Sequence, residues 1–168
     1  MYYEISLWHF QFELYFGTGR PTLCGYTDSD KACDVDTRNS TLGYLITFAG
    51  GAVSWQSRLQ KYVDLSTTKA ELIVNVKSFK ELLWMKQFMG ELGFSQERYV
   101  LYCDSQSAIH LGKNSTFHGR SKHIDVRYHW IRDVLDSNLL KLEKIHTDDN
   151  GSDMLTNLCR EGSLKIVV

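Results

Sequence analysis

The stretch that decides the fold is Leu23-Cys24-Gly25-Tyr26-Thr27-Asp28, a run of apolar and small residues that ends in a carboxylate. This pattern predicts a buried strand that reaches the surface at Asp28. A second stretch, Tyr99-Val100-Leu101-Tyr102-Cys103-Asp104, repeats the arrangement. Because aspartate is also common in turns, either strand end alone carries little information. The pair predicts that two neighbouring strands each deliver a carboxylate to one edge of a sheet.

The segments around these two strands predict a mixed α/β fold. Two short strands joined at Gly50-Gly51 follow the first strand as an antiparallel meander, and helix–strand crossovers then add parallel strands. The predicted order is strands at 23–28, 43–49 and 52–56, a helix at 66–93, a strand at 99–104, helices through 108–111 and at 121–136, a strand at 140–146 and a helix at 153–158. An apolar alternation from Phe10 to Phe16 predicts a strand before this set. The core is therefore a five-stranded mixed sheet flanked by helices.

The composition is that of one globular domain over residues 1–168, with 43% hydrophobic and 23% charged residues. No membrane span or secretory signal is visible, and the four cysteines show no pairing pattern. We therefore expect an intracellular monomer without disulfides or a membrane partner. The net charge of −1 gives no overall attraction to nucleic acid. The segment 113–132 nevertheless holds five basic residues against one acidic residue, a local face suited to phosphates.

Two further acids begin helices. Glu71 ends the segment Thr68-Lys69-Ala70-Glu71, which also has the form of a capping box, and Asp153 lies where the helix dipole favours an acid. The pattern alone does not decide whether Glu71 and Asp153 only stabilise the starts of their helices or belong to a functional site. Together with Asp28 and Asp104, however, they form a set of four carboxylates that would repel one another unless cations neutralise them. An all-oxygen ligand set favours Mg²⁺ or Mn²⁺ over zinc.

Several motifs resemble the ribonuclease H domain of copia-type long-terminal-repeat retrotransposon Pol polyproteins, most closely those of plants. The resemblance covers about residues 13–158, so that residues 1–12 are an unmatched N-terminal segment and 159–168 a tail. Its motifs are Tyr26-Thr27-Asp28-Ser29-Asp30, Arg38 to Tyr44, Val53 to Ser57, Leu65 to Glu71, Cys103 to Ala108, Lys122 to His129 and Asp153-Met154-Leu155-Thr156.

The resemblance implies the ribonuclease H fold and hydrolysis of the RNA strand of RNA–DNA hybrids with two Mg²⁺ or Mn²⁺ ions. The family's acidic, catalytic metal ligands fall on Asp28, Glu71, Asp104 and Asp153. The basic helix 121–132 would lie along the hybrid. The substrate-binding residues expected there are Arg120, Lys122, His123 and Arg127.

The sequence departs from the family pattern at a few positions, which favours keeping an inactive module as an alternative, while the close motif match argues against a second alternative from another class. The departures are Lys31, Cys33, Asp64, Lys69 and Asn157. One alternative is a degenerate module that binds nucleic acid without cleaving it, and the other is an integrase or transposase core of the same fold. No reverse transcriptase, protease or integrase segment is present, so we expect a fragment of a longer polyprotein.

Overall fold

The computed structural model describes residues 20–30, 40–60, 67–113, 122–138 and 140–156; for residues 67, 69 and 122–128 it describes the backbone alone. The strands are β1 (Leu23–Asp30), β2 (Thr41–Phe48), β3 (Gly51–Leu59), β4 (Tyr99–Cys103) and β5 (Leu140–Lys144). The helices are α1 (Thr67–Glu91), α2 (Gln106–Lys113), α3 (Lys122–Asp136) and α4 (Asp153–Thr156), with a 3₁₀ turn at Thr147–Asp149. The strand predicted at 10–16 lies outside the described residues.

The five strands form one mixed sheet in the order β3-β2-β1-β4-β5. The pairs β3–β2 and β2–β1 are antiparallel, whereas β1–β4 and β4–β5 are parallel. This arrangement confirms the predicted meander followed by crossovers. It also places β1 and β4, the two strands that end near carboxylates, side by side.

The hairpin between β2 and β3 turns one residue earlier than the sequence suggests. Phe48 pairs with Gly51, so the connecting residues are Ala49 and Gly50, with φ angles of 52° and 84°. Positive φ at both central residues is the backbone of a type I′ turn, whose twist matches that of the strands. The prediction of a Gly50-Gly51 connection was therefore wrong by one position.

Helix α1 packs its apolar stripe across the sheet and supplies much of the core. Leu72, Val76 and Phe79 recur at helical spacing and are buried, and Leu82 is fully buried as well. Phe88, by contrast, is 42% exposed and stacks on exposed Trp84. Phe88 therefore lies beside the buried stripe, which continues through Met85 and Met89.

Gly93 ends helix α1, as predicted. Its φ of 85° is left-handed, and it donates its N–H to the Gly90 carbonyl oxygen at 3.0 Å. The next residue, Phe94, donates to Met89 at 2.9 Å, which completes a Schellman motif. Across the described ranges, none of the helices has the length and apolar character that a membrane crossing requires.

Candidate metal centre

The parallel pairing of β1 and β4 sets the register of the first two acids. Thr27 of β1 is opposite Cys103 of β4, so Asp28 and Asp104 each follow by one residue on adjacent strands. Neighbouring strands lie about 4.8 Å apart, which keeps the two carboxylates close to each other. Asp28 is 7% exposed, whereas Asp104 is half-buried.

Helix α1 delivers Glu71 to the same edge of the sheet. The helix begins at Thr67, so Glu71 is its fifth residue and lies beyond the third position that a capping box uses. Its carboxylate instead accepts hydrogen bonds from the hydroxyl and the backbone N–H of Ser29, across on β1. Glu71 is 7% exposed. This carboxylate therefore faces the strand-end acids.

Burial and mutual repulsion raise the pKa of two of these acids. Burial, followed by the charges of Asp104 and Asp153, raises the pKa of Asp28 to about 6, although a hydrogen bond from Thr156 lowers it. Burial, followed by the charges of Asp28 and Asp104, raises the pKa of Glu71 to about 8. Ionised, these groups are destabilising where they lie, which is the electrostatic condition that a bound cation relieves.

Asp104 is held by the last residue of β5 and by the segment that follows it. The Thr147 hydroxyl donates to Asp104 Oδ2 at 3.2 Å, and the Lys144 ammonium donates to the main-chain carbonyl of Asp104. These contacts orient Asp104 from the side opposite β1 while its carboxylate keeps further lone pairs available for a ligand.

Asp153 is the first residue of α4 and is half-buried. Its charge contributes to the raised pKa of Asp28, which places it in the same electrostatic cluster. Its position in the first helical turn also fits the alternative of an acid favoured by the helix dipole, and the two explanations are compatible. At the other end of this short helix, the Thr156 hydroxyl donates to Asp28 Oδ2.

A buried polar network lies beneath the acids. The Thr27 hydroxyl donates to Asn75 Oδ1 at 2.7 Å, and Asn75 Nδ2 lies 3.8 Å from Cys103 Sγ. Burial and the charge of Glu71 raise the pKa of the Cys103 thiol to about 12. Donor atoms of Glu71, Cys103 and Asp104 lie within 4.8 Å of one another. The network joins β1, α1 and β4 below the site.

Sequence reasoning did not single out the residues that support the acids. Ser29 and Thr156 stand inside the quoted motifs, but their contacts to Glu71 and Asp28 were not predicted. Asn75 has a recognisable signal, because it is a polar residue one turn after Glu71 on the apolar stripe of a helix. A polar residue on a buried stripe needs a partner, so such a position is worth examining.

The side chains of the predicted substrate-binding residues lie outside the described part of the structure. Arg120 lies outside the described residues, as do the side chains of Lys122, His123 and Arg127, whose backbone belongs to α3. The departures at Lys31, Cys33, Asp64 and Asn157 and the side chain of Lys69 also lie outside what is described. Their roles remain predictions.

The donor set suits hard divalent cations. Among the described residues, donor atoms close enough to share a metal ion come from Glu71, Cys103 and Asp104. The charges of Asp104 and Asp153 act on Asp28, and those of Asp28 and Asp104 act on Glu71. Mg²⁺ and Mn²⁺ prefer such oxygen ligands, and one or two carboxylates bind each Mg²⁺ in typical sites. The four acids therefore fit the ions that the resemblance implies.

Comparison with curated sequences finds relatives among plant retrotransposons, while no family model matches the chain. It is 59% identical over 145 residues to the retrovirus-related Pol polyprotein from transposon TNT 1-94 of Nicotiana tabacum, covering 86% of this chain and 11% of that protein. It is 38% identical over 136 residues to the Pol polyprotein from transposon RE1 of Arabidopsis thaliana, covering 80% of this chain and 9% of that protein. The chain thus spans about a tenth of the length of these relatives.

Comparison with solved structures identifies the fold. LC11-RNase H1, solved in complex with an RNA/DNA hybrid, superposes with a TM-score of 0.58 at 15% identity. The match covers 81% of this chain and 94% of that protein. The five-stranded mixed sheet with its helices is therefore a ribonuclease H fold, as the sequence motifs imply.

Proposed function

We propose that this chain, a homologue of a segment of plant retrotransposon Pol polyproteins with a ribonuclease H fold, hydrolyses the RNA strand of RNA–DNA hybrids with two divalent cations. The observation that supports the proposal is that Asp28 and Glu71 are buried with raised pKa values, to which the charges of nearby acids on other elements contribute. Burying acids without a cation costs stability, so such a cluster is better explained by a ligand than by folding.

Each acid has a role in this proposal. Asp28 and Asp104, on adjacent strand ends, would hold cations between them, while Glu71 and Asp153 would complete the coordination from the two helix starts. Ser29 orients Glu71 and Thr147 orients Asp104 through hydrogen bonds. When bound, two divalent cations supply an activated water and stabilise the charge on the phosphate and the leaving oxygen.

The substrate would be held mainly through its backbone. Helix α3 follows α2 along the chain and carries Lys122, His123 and Arg127 in its first two turns. With Arg120 just before the helix, these residues would contact phosphates and read the shape of the hybrid rather than its sequence. We expect charge-removing substitutions here to weaken hybrid binding more at low salt than at high salt.

The test is cleavage of an end-labelled RNA–DNA hybrid by the full-length chain in Mg²⁺, in Mn²⁺ and in EDTA, with duplex DNA and duplex RNA as substrate controls. We expect cleavage of the RNA strand of the hybrid alone, with either cation, and none in EDTA. Binding of the hybrid without cleavage in any cation would instead identify a degenerate binding module. Cutting or joining of duplex DNA ends would favour the integrase or transposase alternative.

A further inference from the structure

Helix α4 is seated directly on the backbone of the strand pair that carries Asp28. Gly43 of β2 is the register partner of Asp28. A Cβ atom on Gly43 would lie 2.8 Å from Thr156 Cγ2 and 3.1 Å from Leu155 Cβ, so a side chain at this position would push the helix away. From β3, the Ser57 hydroxyl donates to the Leu155 carbonyl oxygen at 2.6 Å. Three strands thus contact this helix at close range.

The segment before α4 is tied to the same strand by Asn150. Asn150 is 5% exposed, and its Nδ2 donates to the Thr27 carbonyl oxygen at 2.9 Å. Its Oδ1 accepts from the backbone N–H and the hydroxyl of Ser152, at 3.3 and 2.8 Å. Asp153 therefore follows a turn that is fixed to β1 immediately before Asp28.

Thr156 completes this arrangement with one hydroxyl group placed between the Asp28 carboxylate and the main-chain carbonyl of Asp153. The residue is fully buried, and its Oγ1 donates to Asp28 Oδ2 and lies 3.1 Å from the Asp153 carbonyl oxygen. A hydroxyl has one proton, and a carboxylate is a stronger acceptor than a neutral carbonyl. The proton is therefore directed at Asp28, which fixes the Asp28 carboxylate relative to the helix that carries Asp153.

We propose that Thr156 is a positioning residue that sets the geometry between Asp28 and Asp153, so that both carboxylates can bind one divalent cation. The inference rests on the proposed function, because it concerns how the cations of that site are held. Thr156 does not contact the substrate or supply a ligand. It orients a ligand through a hydrogen bond, and loss of such a contact typically lowers metal affinity about 10–100-fold.

The test compares three substitutions at this position in the full-length chain. Thr156→Val removes the hydroxyl at nearly constant volume, Thr156→Ser keeps the hydroxyl without the methyl group, and Thr156→Ala removes both. The dissociation constant for Mn²⁺ is measured by electron paramagnetic resonance of the free ion, and hybrid cleavage is followed in parallel. We expect Val and Ala to raise the dissociation constant about tenfold or more, and Ser to stay close to wild type.

The matched control is Ser78→Ala, which removes another fully buried hydroxyl, one that donates to the Val74 carbonyl oxygen within α1. It should lower stability in EDTA and leave Mn²⁺ affinity unchanged. Wild-type affinity in Thr156→Val overturns the inference, and so does equal weakening by Val and Ser, or by Val and Ser78→Ala. If Val does not fold, the Ala and Ser pair gives the same comparison.

Failure of the inference differs from failure of the proposed function. A wild-type chain that binds Mn²⁺ and cleaves hybrid while Thr156→Val does so equally well overturns the role of Thr156 alone. A wild-type chain that neither binds Mn²⁺ nor cleaves hybrid overturns both.

Discussion

The two ends of helix α1 carry the same residue type in opposite surroundings. Glu71, near the start, is 7% exposed and accepts hydrogen bonds from Ser29, and its pKa is raised to about 8. Glu91, at the end, is exposed. Twenty residues of helix separate them by about 30 Å, so they mark two opposite edges of the sheet.

The far edge is built from apolar contacts and main-chain hydrogen bonds. The Gln96 side chain accepts from the Leu23 N–H and donates to the Leu23 carbonyl oxygen, both at 2.8 Å, as a neighbouring strand would. Beside it, Phe48 and Phe94 pack edge to face. The main-chain N–H and carbonyl of Leu23 are thus satisfied within the chain. The edge that carries Asp28 and Glu71, here called the acidic edge, is therefore less stable than it could be, whereas the far edge around Leu23 and Gln96 is stabilised by its contacts. Such a local loss of stability is typical of a functional site.

The largest expected effect is on catalysis, where substitution of Glu71 and substitution of Glu91 should have different results. Glu71→Gln keeps the shape of the side chain but removes a metal ligand, so cleavage of hybrid should fall at least about a thousandfold, since a metal supplies several kcal/mol of transition-state stabilisation. Glu91→Gln is the matched control at the other end of the same helix and should cleave like wild type. Equal activity of the two variants would show that Glu71 is not part of the site.

The next effect is on the pH dependence of stability. Because the folded-state pKa of Asp28 is raised from 3.8 to about 6 and that of Glu71 from 4.5 to about 8, the fold favours their protonated forms. Without metal, the protonated acids therefore stabilise the folded state at pH 4, and this contribution to the free energy of unfolding is lost as the pH rises to about 8. For Asp28 alone, the pKa shift corresponds to a loss of about 3 kcal/mol in the free energy of unfolding.

Urea unfolding in EDTA between pH 4 and 8.5 measures this loss. Glu71→Gln should flatten the profile between pH 6 and 8.5, because its amide does not titrate. In millimolar Mg²⁺ the wild-type slope should shrink or reverse, since the cation binds the ionised acids and stabilises the folded state. A wild-type profile that is flat in EDTA would show that the acids are solvated and not crowded.

The strands that carry the first two acids could be predicted because their signals are local. The apolar runs before Asp28 and Asp104 indicate buried strands without any knowledge of the neighbours. The predicted end of the first strand was wrong, because β1 continues to Asp30 and Asp28 is buried. The hairpin was less certain, because two adjacent glycines do not show which residues adopt positive φ, and Ala49 takes that conformation together with Gly50. The exposed position of Phe88 likewise depends on which of two neighbouring apolar residues faces the core, and the buried one is Met89.

The supporting contacts could not be predicted because their partners are distant in sequence. Thr27 and Asn75 are 48 residues apart, and Asp28 and Thr156 are 128 apart. Each pair requires the parallel pairing of β1 with β4 or the seating of α4 on the sheet. Helical and strand periodicity identify which face of an element is buried, but not which residue of another element it meets. The four acids could be grouped from their places at strand ends and helix starts, whereas their assignment as metal ligands came from the family resemblance.

The smallest expected effect lies at the far edge and tests whether the two edges are independent. Gln96→Ala removes three side-chain hydrogen bonds, two to Leu23 and one to the Arg98 carbonyl oxygen at 2.7 Å. Leu23 is buried, so its N–H and carbonyl would lose partners that water replaces poorly. We expect the free energy of unfolding to fall by about 1–3 kcal/mol, the cost of leaving such groups unpaired.

Urea unfolding of Gln96→Ala gives this loss, with Gln87→Ala, at an exposed position on α1, as the matched control that should change stability little. The Mg²⁺ concentration for half-maximal cleavage should be the same in both variants and in wild type. Gln96 contacts Leu23 at the start of β1, whereas Asp28 lies further along the strand. A raised Mg²⁺ requirement in Gln96→Ala alone would show that a displacement at the start of β1 also moves Asp28, further along the same strand. The acidic edge would then depend on the stability of the far edge, and the two could not be treated as separate.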